Sequence, residues 1–332
     1  MVKRYITLRD IAEESGVSVN TVSRTLKNRA DIGPETIARV KKIASDLGYV
    51  PHMAASNLRS GGSKSIGVIV THIDNAFFSR ILQGVSDCVS KQGYTVIILS
   101  SNEDVETERN CIQLLTAYRV SGILVVPAND LEQGVDHASI RVPHIEIVRC
   151  GGNGSFFIAN SRRSGELAAE RFAALGKTKA AYLGFDRPVS CNRERMVGFG
   201  DRAKQLKIKL GRKAIRNCQA SAESAFETMS QWIKDGFDFD ALFVYNDTMA
   251  FGALCALSDA GIRVPDEVSV IGHDDIDIAS SFIPRLTTVH VPKYRLGFES
   301  AQALLDRINS SGDGKQLNQH VIYEPELMVR KT

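Results

Sequence analysis

Short runs rich in β-branched residues alternate with amphipathic stretches from residue 65 onward, and this alternation constrains the fold more than any other feature. The β-rich runs are SIGVIV, TVIILS, GILVVP, HIEIVR, AAYLGF, ALFVYN and VSVIGH. The helical stretches are Ile81–Lys91, Glu106–Arg119, Gly165–Leu175, Ser221–Asp235 and Thr248–Ala260. Strands and helices that alternate at this spacing form parallel sheets covered by helices. The sequence therefore predicts an α/β fold.

The alternating unit occurs twice, at about 65–160 and 162–290. Two such units predict two lobes with a ligand cleft, because ligands of open α/β sheets bind outside the carboxyl ends of the strands. Aromatic rings stack on sugars or bases, and amide, carboxylate and guanidinium groups bind their polar atoms. The candidate residues of this kind are Asn75, Phe77, Phe78, Glu146, Arg149, Arg193, Arg195, Asn246 and Asp274.

Each candidate also has a structural interpretation. Asn246 and Asp274 suit helix caps or turns, the two phenylalanines suit a core, and Arg193 and Arg195 suit a solvated helix face. The run His273-Asp274-Asp275 offers too few ligands, too poorly spaced, for a metal ion. The motifs GxSxG, GxxxxGK[ST] and HExxH are absent, as is a GxGxxG after the first strand. We therefore predict neither an enzyme nor a metal or cofactor site.

The first 64 residues differ from the rest in charge and pattern. They carry 11 Lys/Arg and 6 Asp/Glu, a net charge of +5, whereas the remainder carries 30 and 32, a net charge of −2. A basic head on a mildly acidic body suggests contact with a polyanion, although basic segments are also plain solvated surface.

The stretch TLRDIAEESGVSVNTVSRTLK predicts two helices and a tight turn. Leu8, Ile11, Ala12 and Ser15 form one packed face of the first, which Thr7 caps and Gly16 ends. The second begins after Ser18, buries Val22, Thr25 and Leu26, and presents Asn20, Ser23, Arg24 and Lys27 on its other face. A third helix starts at Pro34. Three short helices with one polar face describe a major-groove reader, or a plain helical bundle.

Targeting and redox signals are few. No stretch of about 18 or more apolar residues predicts a membrane span, and the N-terminus lacks the apolar core of a signal peptide. The six cysteines are scattered without a CxxC pair, which fits reduced thiols. These features predict a cytoplasmic protein.

The chain resembles the lactose-repressor family of bacterial transcription regulators from about Thr7 to Arg330. The resemblance rests on an ordered set of motifs: TLRDIAEESGVSVNTVSRTL, LGYVPHMAASNLRSG, SIGVIV, NDTMAFGAL, VPDEVSVIGHDD and LTTVHVP. It implies a helix-turn-helix headpiece at 1–50, a hinge at 51–63, and a core at 64–332 shaped like periplasmic sugar-binding proteins. The expected first lobe comprises about 64–161 and 293–320, and the second about 162–291 and 321–332.

The resemblance also implies residue roles at the DNA. Val19, Asn20 and Arg24 match base-reading positions, and Arg24 suits a bidentate contact to guanine. The positions that match phosphate contacts are Ser18, Thr21, Ser23 and Tyr49. His52 stands where the family often has Asn. A homodimer would present two headpieces to a pseudo-palindromic operator, and a dimer is expected rather than the tetramer that some relatives form.

In the cleft, the resemblance assigns effector contacts to Phe77, Phe78, Arg195, Asn246 and Asp274, and in sugar-binding relatives to Asn75 and Arg149. Two family positions are apolar here: Val148 replaces the Asp of "DR", and Val291 replaces the Gln of "QP". A typical neutral hexose or pentose is thereby disfavoured. Glu146, two residues before Val148, would lie on the same strand face and supply the acid.

Three effector classes remain open at this stage. Arg149, Arg193 and Arg195 together would hold an anion such as a sugar acid. A neutral sugar or polyol and a nucleobase or other metabolite are the alternatives. We expect a DNA-binding regulator controlled by this effector, most simply a repressor. A periplasmic-type binding protein without a DNA role is the alternative function.

The segment MAASNLRSGG is a candidate hinge helix. About ten residues are too few for a stable isolated helix, so it would order only when two copies pack over the minor groove. Ala55 keeps the approach close, and Leu58 matches the wedge that inserts at the central base step. A flexible pyrimidine–purine step such as CG is expected there.

Leu58→Ala should weaken operator binding and reduce DNA bending, because the wedge that unstacks the central step is lost. Gel-shift and bending assays measure both effects, with effector affinity of the core as the unchanged control. Normal binding and bending in this variant would contradict the wedge role.

Overall fold

The computed structural model describes residues 6–26, 29, 32–49, 63–130, 134–152, 154–310 and 318–332. The chain divides into two compact units, Met1–Ser63 and Lys64–Thr332. No helix within the described ranges has the length and apolar character needed to cross a membrane.

The first unit contains three helices, α1 (Leu8–Ser15), α2 (Val19–Leu26) and α3 (Pro34–Asp46). Thr7 caps α1 through a reciprocal capping box with Asp10. Gly16 ends α1 with φ 67°, a left-handed conformation that costs glycine little. The core consists of Ile11, Ala12, Val22, Val40 and Ala44. The predicted helix-turn-helix and its packed faces are confirmed.

The second unit is built from strands and helices in alternation. In chain order the strands are β1 (Ser65–Val70), β2 (Thr95–Ser100), β3 (Gly122–Val125), β4 (His144–Ile147), β5 (Phe156–Ala159), β6 (Ala180–Phe185), β7 (Ile215–Cys218), β8 (Ala241–Val244), β9 (Ser269–Asp274), β10 (Thr287–His290), β11 (His320–Tyr323) and β12 (Glu326–Met328). The helices are α4 (Ala76–Ser90), α5 (Val105–Ala117), α6 (Ser161–Ala174), α7 (Ser190–Gln205), α8 (Ala222–Lys234), α9 (Asp247–Asp259) and α10 (Lys293–Asn309).

The strands form two six-stranded sheets within the described residues, one in each lobe. The first has the order β11-β5-β4-β3-β1-β2, and the second β12-β10-β9-β8-β6-β7. All pairs are parallel except β10 with β12, which is antiparallel. The predicted two-lobed α/β core with parallel sheets is confirmed.

The chain passes between the sheets three times, after β5, after β10 and after β11. The third passage follows Tyr323, whereas the expected lobe boundary lay at 320–321. His320–Tyr323 belongs to the first lobe because it pairs with Phe156–Ala159. Such pairing joins segments far apart in sequence, so local patterns do not reveal it.

Glycines allow two helices of the first lobe to touch. A Cβ added at Gly297 of α10 would clash with the Ile81 carbonyl oxygen of α4, and one added at Gly84 would clash with the Tyr294 carbonyl oxygen. Backbone cannot yield as a flexible side chain does. The close approach of α4 and α10 therefore requires glycine at both positions.

A buried charged cluster lies in the same lobe. The His137 ring nitrogens lie 2.6 Å from Glu146 Oε1 and 2.5 Å from Glu108 Oε1. All three side chains are buried. Burial by itself lowers the pKa of His137, but hydrogen bonds and charge from Glu108 and Glu146 outweigh it and raise this pKa to about 9. The cluster thus holds an imidazolium between two carboxylates.

Gly297→Ala should destabilise the core by about 1–3 kcal/mol, because the methyl group forces the two helices apart. Thermal or urea unfolding measures the loss. Gly211→Ala is the matched control, since Gly211 has an ordinary φ of −80° and no atom within 4 Å of its added Cβ. Equal stability of the two variants would contradict this packing argument.

His137 should make stability fall in alkaline solution. A folded-state pKa above the unfolded value means that the stabilisation is complete below about pH 6.5 and disappears as the pH rises through about 9. Unfolding midpoints from pH 6 to 10 should show this fall in the wild type, and His137→Gln should flatten it. An equally steep fall in the variant would refute the assignment.

Candidate functional site

A cavity of about 490 Å³ lies between the two lobes, where the carboxyl ends of the strands meet. Loops after β1, β2 and β4 line one wall, and those after β6, β7, β8 and β9 line the other. Most of the predicted effector residues line it: Asn75, Phe77, Phe78, Arg149, Arg195, Asn246 and Asp274.

The aromatic part of the first-lobe wall comes from the first turn of α4. Asn75 caps this helix, accepting a hydrogen bond of 3.0 Å from the Phe77 N–H. Phe77 and Phe78 are buried and meet edge to face, with centroids 5.2 Å apart. Asn75 is therefore both a helix cap and a cavity residue, and the two phenylalanines are both buried and part of the cavity wall.

Arg149 lies on the same wall but is already paired. Its guanidinium makes a bidentate ion pair with Glu103, at 2.7 and 2.9 Å, and also donates to the Pro127 carbonyl at 3.1 Å. Both charged side chains are buried. Sequence reasoning missed Glu103, because its loop has left-handed backbone (φ 56°) that no pattern indicated. The charge of Arg149 is thus balanced within the protein.

Arg195 of α7 lies on the second-lobe wall. It donates from Nη1 to the Tyr245 carbonyl, and its guanidinium lies 4.9 Å from the centre of the Tyr245 ring. The Nε atoms of Arg195 and of Arg149 are buried without a hydrogen-bond partner among the described residues. Both Nε atoms are enclosed by protein, so they are not donors for a ligand in the cavity.

Asn246 and Asp274 complete the polar part of this wall. Asn246 caps α9, accepting 2.9 Å from the Met249 N–H. Asp274 accepts from His273 Nδ1 at 2.8 Å. Burial lowers the pKa of His273 to about 4, so the ring is neutral and its Nε2 accepts from the Ser164 hydroxyl at 3.2 Å.

The turn at Asp274 and Asp275 has left-handed backbone, with φ 106° and 51°. Lys293 holds it by donating to both carbonyl oxygens, that of Asp275 at 3.0 Å. Arg330 and His290 bind the Asp275 carboxylate at 2.6 and 2.9 Å. Burial raises the pKa of Asp275, but these two partners outweigh it and lower the pKa to about 2. Sequence reasoning missed all three supporting residues.

Glu146 does not line the cavity, so its predicted acidic role there is wrong. It binds His137 and accepts from the Gly151 N–H at 2.9 Å. Side-chain alternation was assumed to continue to Val148, but β4 ends at Ile147 and Val148 has φ 68°. A β-branched residue rarely adopts that backbone.

Arg193 also lies outside the cavity. It is exposed, with Nε 3.4 Å from Glu194 Oε1. Two residues along a helix correspond to a rotation of about 200°, so Arg193 points away when Arg195 points inward. The three-arginine anion site does not assemble, since Arg193 lies elsewhere and Glu103 balances Arg149.

The predicted DNA-contacting residues lie on and around α2. Ser18 caps this helix, accepting 3.1 Å from the Thr21 N–H. The side chains of Val19, Asn20 and Arg24 are exposed, Thr21 and Ser23 are half-buried, and Tyr49 packs against the headpiece core. His52, Ala55 and Leu58 lie outside the described residues, as does the hinge at 51–62.

Two family models match the chain. Residues 7–52 match "Bacterial regulatory proteins, lacI family", and residues 169–332 match "Periplasmic binding protein-like domain". The chain is similar to the HTH-type transcriptional repressor PurR of Vibrio vulnificus (strain CMCP6), at 32% identity over 330 residues and 98% of each chain.

Solved structures of similar regulators superimpose on most of this chain. The lac repressor dimer bound to operator and the anti-inducer ONPF superimposes with a TM-score of 0.87, 27% identity and 99% of each chain covered. A LacI family transcriptional regulator from Enterococcus faecium with bound ribose superimposes with a TM-score of 0.71 and 25% identity, covering 80% of this chain and 97% of that one.

These relatives are transcription regulators, which confirms the predictions of a DNA-binding regulator and of a chain that is not an enzyme. A helix-turn-helix unit and a two-lobed core with a ligand cavity are the parts that such a regulator needs. The chain belongs to the lacI family of bacterial regulatory proteins, DNA-binding transcriptional regulators controlled by small-molecule effectors.

Proposed function

We propose that the effector is a neutral, polyhydroxylated compound of sugar size, and that it controls how tightly a homodimer binds a pseudo-palindromic operator. The observation that carries this proposal is the set of polar groups opposite two aromatic rings. Asp274, Asn246 and Arg195 offer acceptors and donors for hydroxyl groups, and Phe77 and Phe78 offer an apolar surface. Because Val148 and Val291 also line the cavity, the compound makes fewer polar contacts than a typical hexose or pentose would.

Charge supports a neutral ligand. Four acidic residues line the cavity, namely Asp74, Glu103, Asp186 and Asp274, against three arginines, Arg149, Arg187 and Arg195. No positive surplus exists to balance an anion, and Glu103 already balances Arg149. Arg195 lines the cavity and can donate to the acceptor oxygens that hydroxyl groups supply.

A sugar acid is the second candidate. Arg195 favours it, because a carboxylate is a stronger acceptor than a hydroxyl group. The carboxylate of a sugar acid would be repelled by the Asp274 carboxylate, which lies on the same wall as Arg195. This cost places it behind the neutral compound.

At the DNA, the proposed division of roles follows from exposure on α2. Val19, Asn20 and Arg24 would read base edges, and Ser18, Thr21, Ser23 and Tyr49 would hold phosphates. His52 would add a contact, and Ala55 and Leu58 would occupy the minor groove. Such a regulator acts on the chromosome, in the bacterial cytoplasm.

A ligand panel tests the effector class. Pentoses, hexoses and polyols should raise the melting temperature of the wild type more than aldonates, uronates or nucleobases do. Asp274→Asn should weaken binding of the best ligand by about 10–100-fold, because a charged hydrogen bond is lost. Asn is chosen because it tolerates the left-handed backbone at this position. Calorimetric titration measures the affinity.

Asp238→Asn is the matched control, because this carboxylate is 81% exposed and does not line the cavity. It should bind normally. The best ligand must also change operator affinity in a gel shift, since an effector acts only by binding two states unequally. Stabilisation by anions or nucleobases alone would reject the neutral class.

A further inference from the structure

Helix α7 carries two residues of the cavity wall, Cys191 and Arg195. Its own N-cap position is Val189, whose side chain makes no capping hydrogen bond. Four other helices of the core are capped by a residue of their own lobe: Asn75, Asp104, Ser221 and Asn246. The first N–H groups of a helix need acceptors from elsewhere when the N-cap side chain is apolar.

Asp130 supplies that acceptor from the opposite lobe. Its Oδ1 accepts 2.8 Å from the Ser190 N–H, and its Oδ2 accepts from the Ser190 hydroxyl. Asp130 follows β3 of the first lobe, whereas Ser190 follows β6 of the second. The contact therefore spans the two lobes.

The environment makes this contact strong. Asp130 is 5% exposed, and its charge meets the positive end of the α7 dipole in a charge-assisted hydrogen bond. Lys293 of α10 joins the lobes beside one of the passages between them. Away from the passages, Arg80 contacts Asp277 at 2.9 Å, with side chains 48% and 76% exposed. Water and salt screen such an exposed pair. Asp130 is the stronger link of the two.

We propose that Asp130 is a positioning residue that caps α7 across the cleft and latches the two lobes together. While the cap holds, Cys191 and Arg195 are kept opposite the first-lobe wall. When the lobes separate, α7 loses its cap and the cavity opens. The inference does not depend on the class of effector.

Cys191 reports the opening without any ligand. Its thiol is 8% exposed and adjoins the latch, so iodoacetamide reaches it when the lobes separate. The alkylation rate, read by peptide mass spectrometry on the full chain, should rise about fivefold in Asp130→Ala, the factor that loss of a helix cap implies. Cys218, buried in the second-lobe core, monitors general unfolding in the same sample.

Ser190→Pro separates latch opening from fraying of the helix. It removes both donors to Asp130, yet proline is favoured at the first helical position. Val189, with φ −110° and ψ 143°, already has the backbone that precedes proline. Ser190→Pro should accelerate Cys191 alkylation as Asp130→Ala does, and the double variant should be no faster than either, because the two residues form one interaction.

Asp240→Ala is the control. Asp240 accepts hydrogen bonds of 3.0 Å from the Thr178 and Lys179 N–H groups within the second lobe and does not line the cavity, so Asp240→Ala should leave Cys191 unchanged. An unchanged Cys191 rate in Asp130→Ala would overturn the proposal, as would acceleration in Asp130→Ala but not in Ser190→Pro. Equal acceleration of Cys218 would also overturn it, because general destabilisation would then explain the result.

Discussion

The backbone turn at Asp274 and Asp275 is the constraint on which the cavity depends. Left-handed backbone at two successive non-glycine residues is unfavourable and persists only when the surroundings support it. Lys293, Arg330 and His290 supply that support. Burial lowers the pKa of Lys293, and the nearby aspartates counteract it. The supporting residues lie beside the passages between lobes, so the turn that presents Asp274 is tied to the hinge.

Much of the buried charge serves structure rather than ligand binding. Glu146 neutralises His137, and Glu103 neutralises Arg149. Each pair must be made inside the protein, because an unpaired buried charge costs several kcal/mol. The charged groups left for a ligand are those that line the cavity without an opposite charge beside them, which is why Arg195 and Asp274 matter more than a count of charged residues suggests.

Capping is a recurrent device at this site. Asn75 and Asn246 cap α4 and α9 while they line the cavity. A cap residue lies just after a strand in a strand–turn–helix unit, and that position is also the carboxyl end of the sheet. Structural and binding roles therefore coincide, and Asp130 extends the same chemistry from one lobe to the other.

Local patterns in the sequence were sufficient for the helix-turn-helix, the parallel α/β class and seven of the residues that line the cavity. Leu8, Ile11 and Ser15 recur at the spacing of one helix face, and SIGVIV has the apolar run of a buried strand. These features depend on neighbours a few residues apart. The short strands β5, β7, β10, β11 and β12 were not predicted, and each is defined mainly by its partners in the sheet.

Charged residues needed the tertiary structure most. Nothing near Glu146 in sequence shows that His137 and Glu108 surround it, and nothing near Arg149 reveals Glu103, 46 positions away. The direction of a side chain after a strand depends on where the strand ends, as Val148 shows. The sequence by itself determined the family, the fold class and the edge of the sheets that binds ligand. Only the folded structure decided which charges face the ligand, because pairing of buried charges is a property of distances that the fold creates.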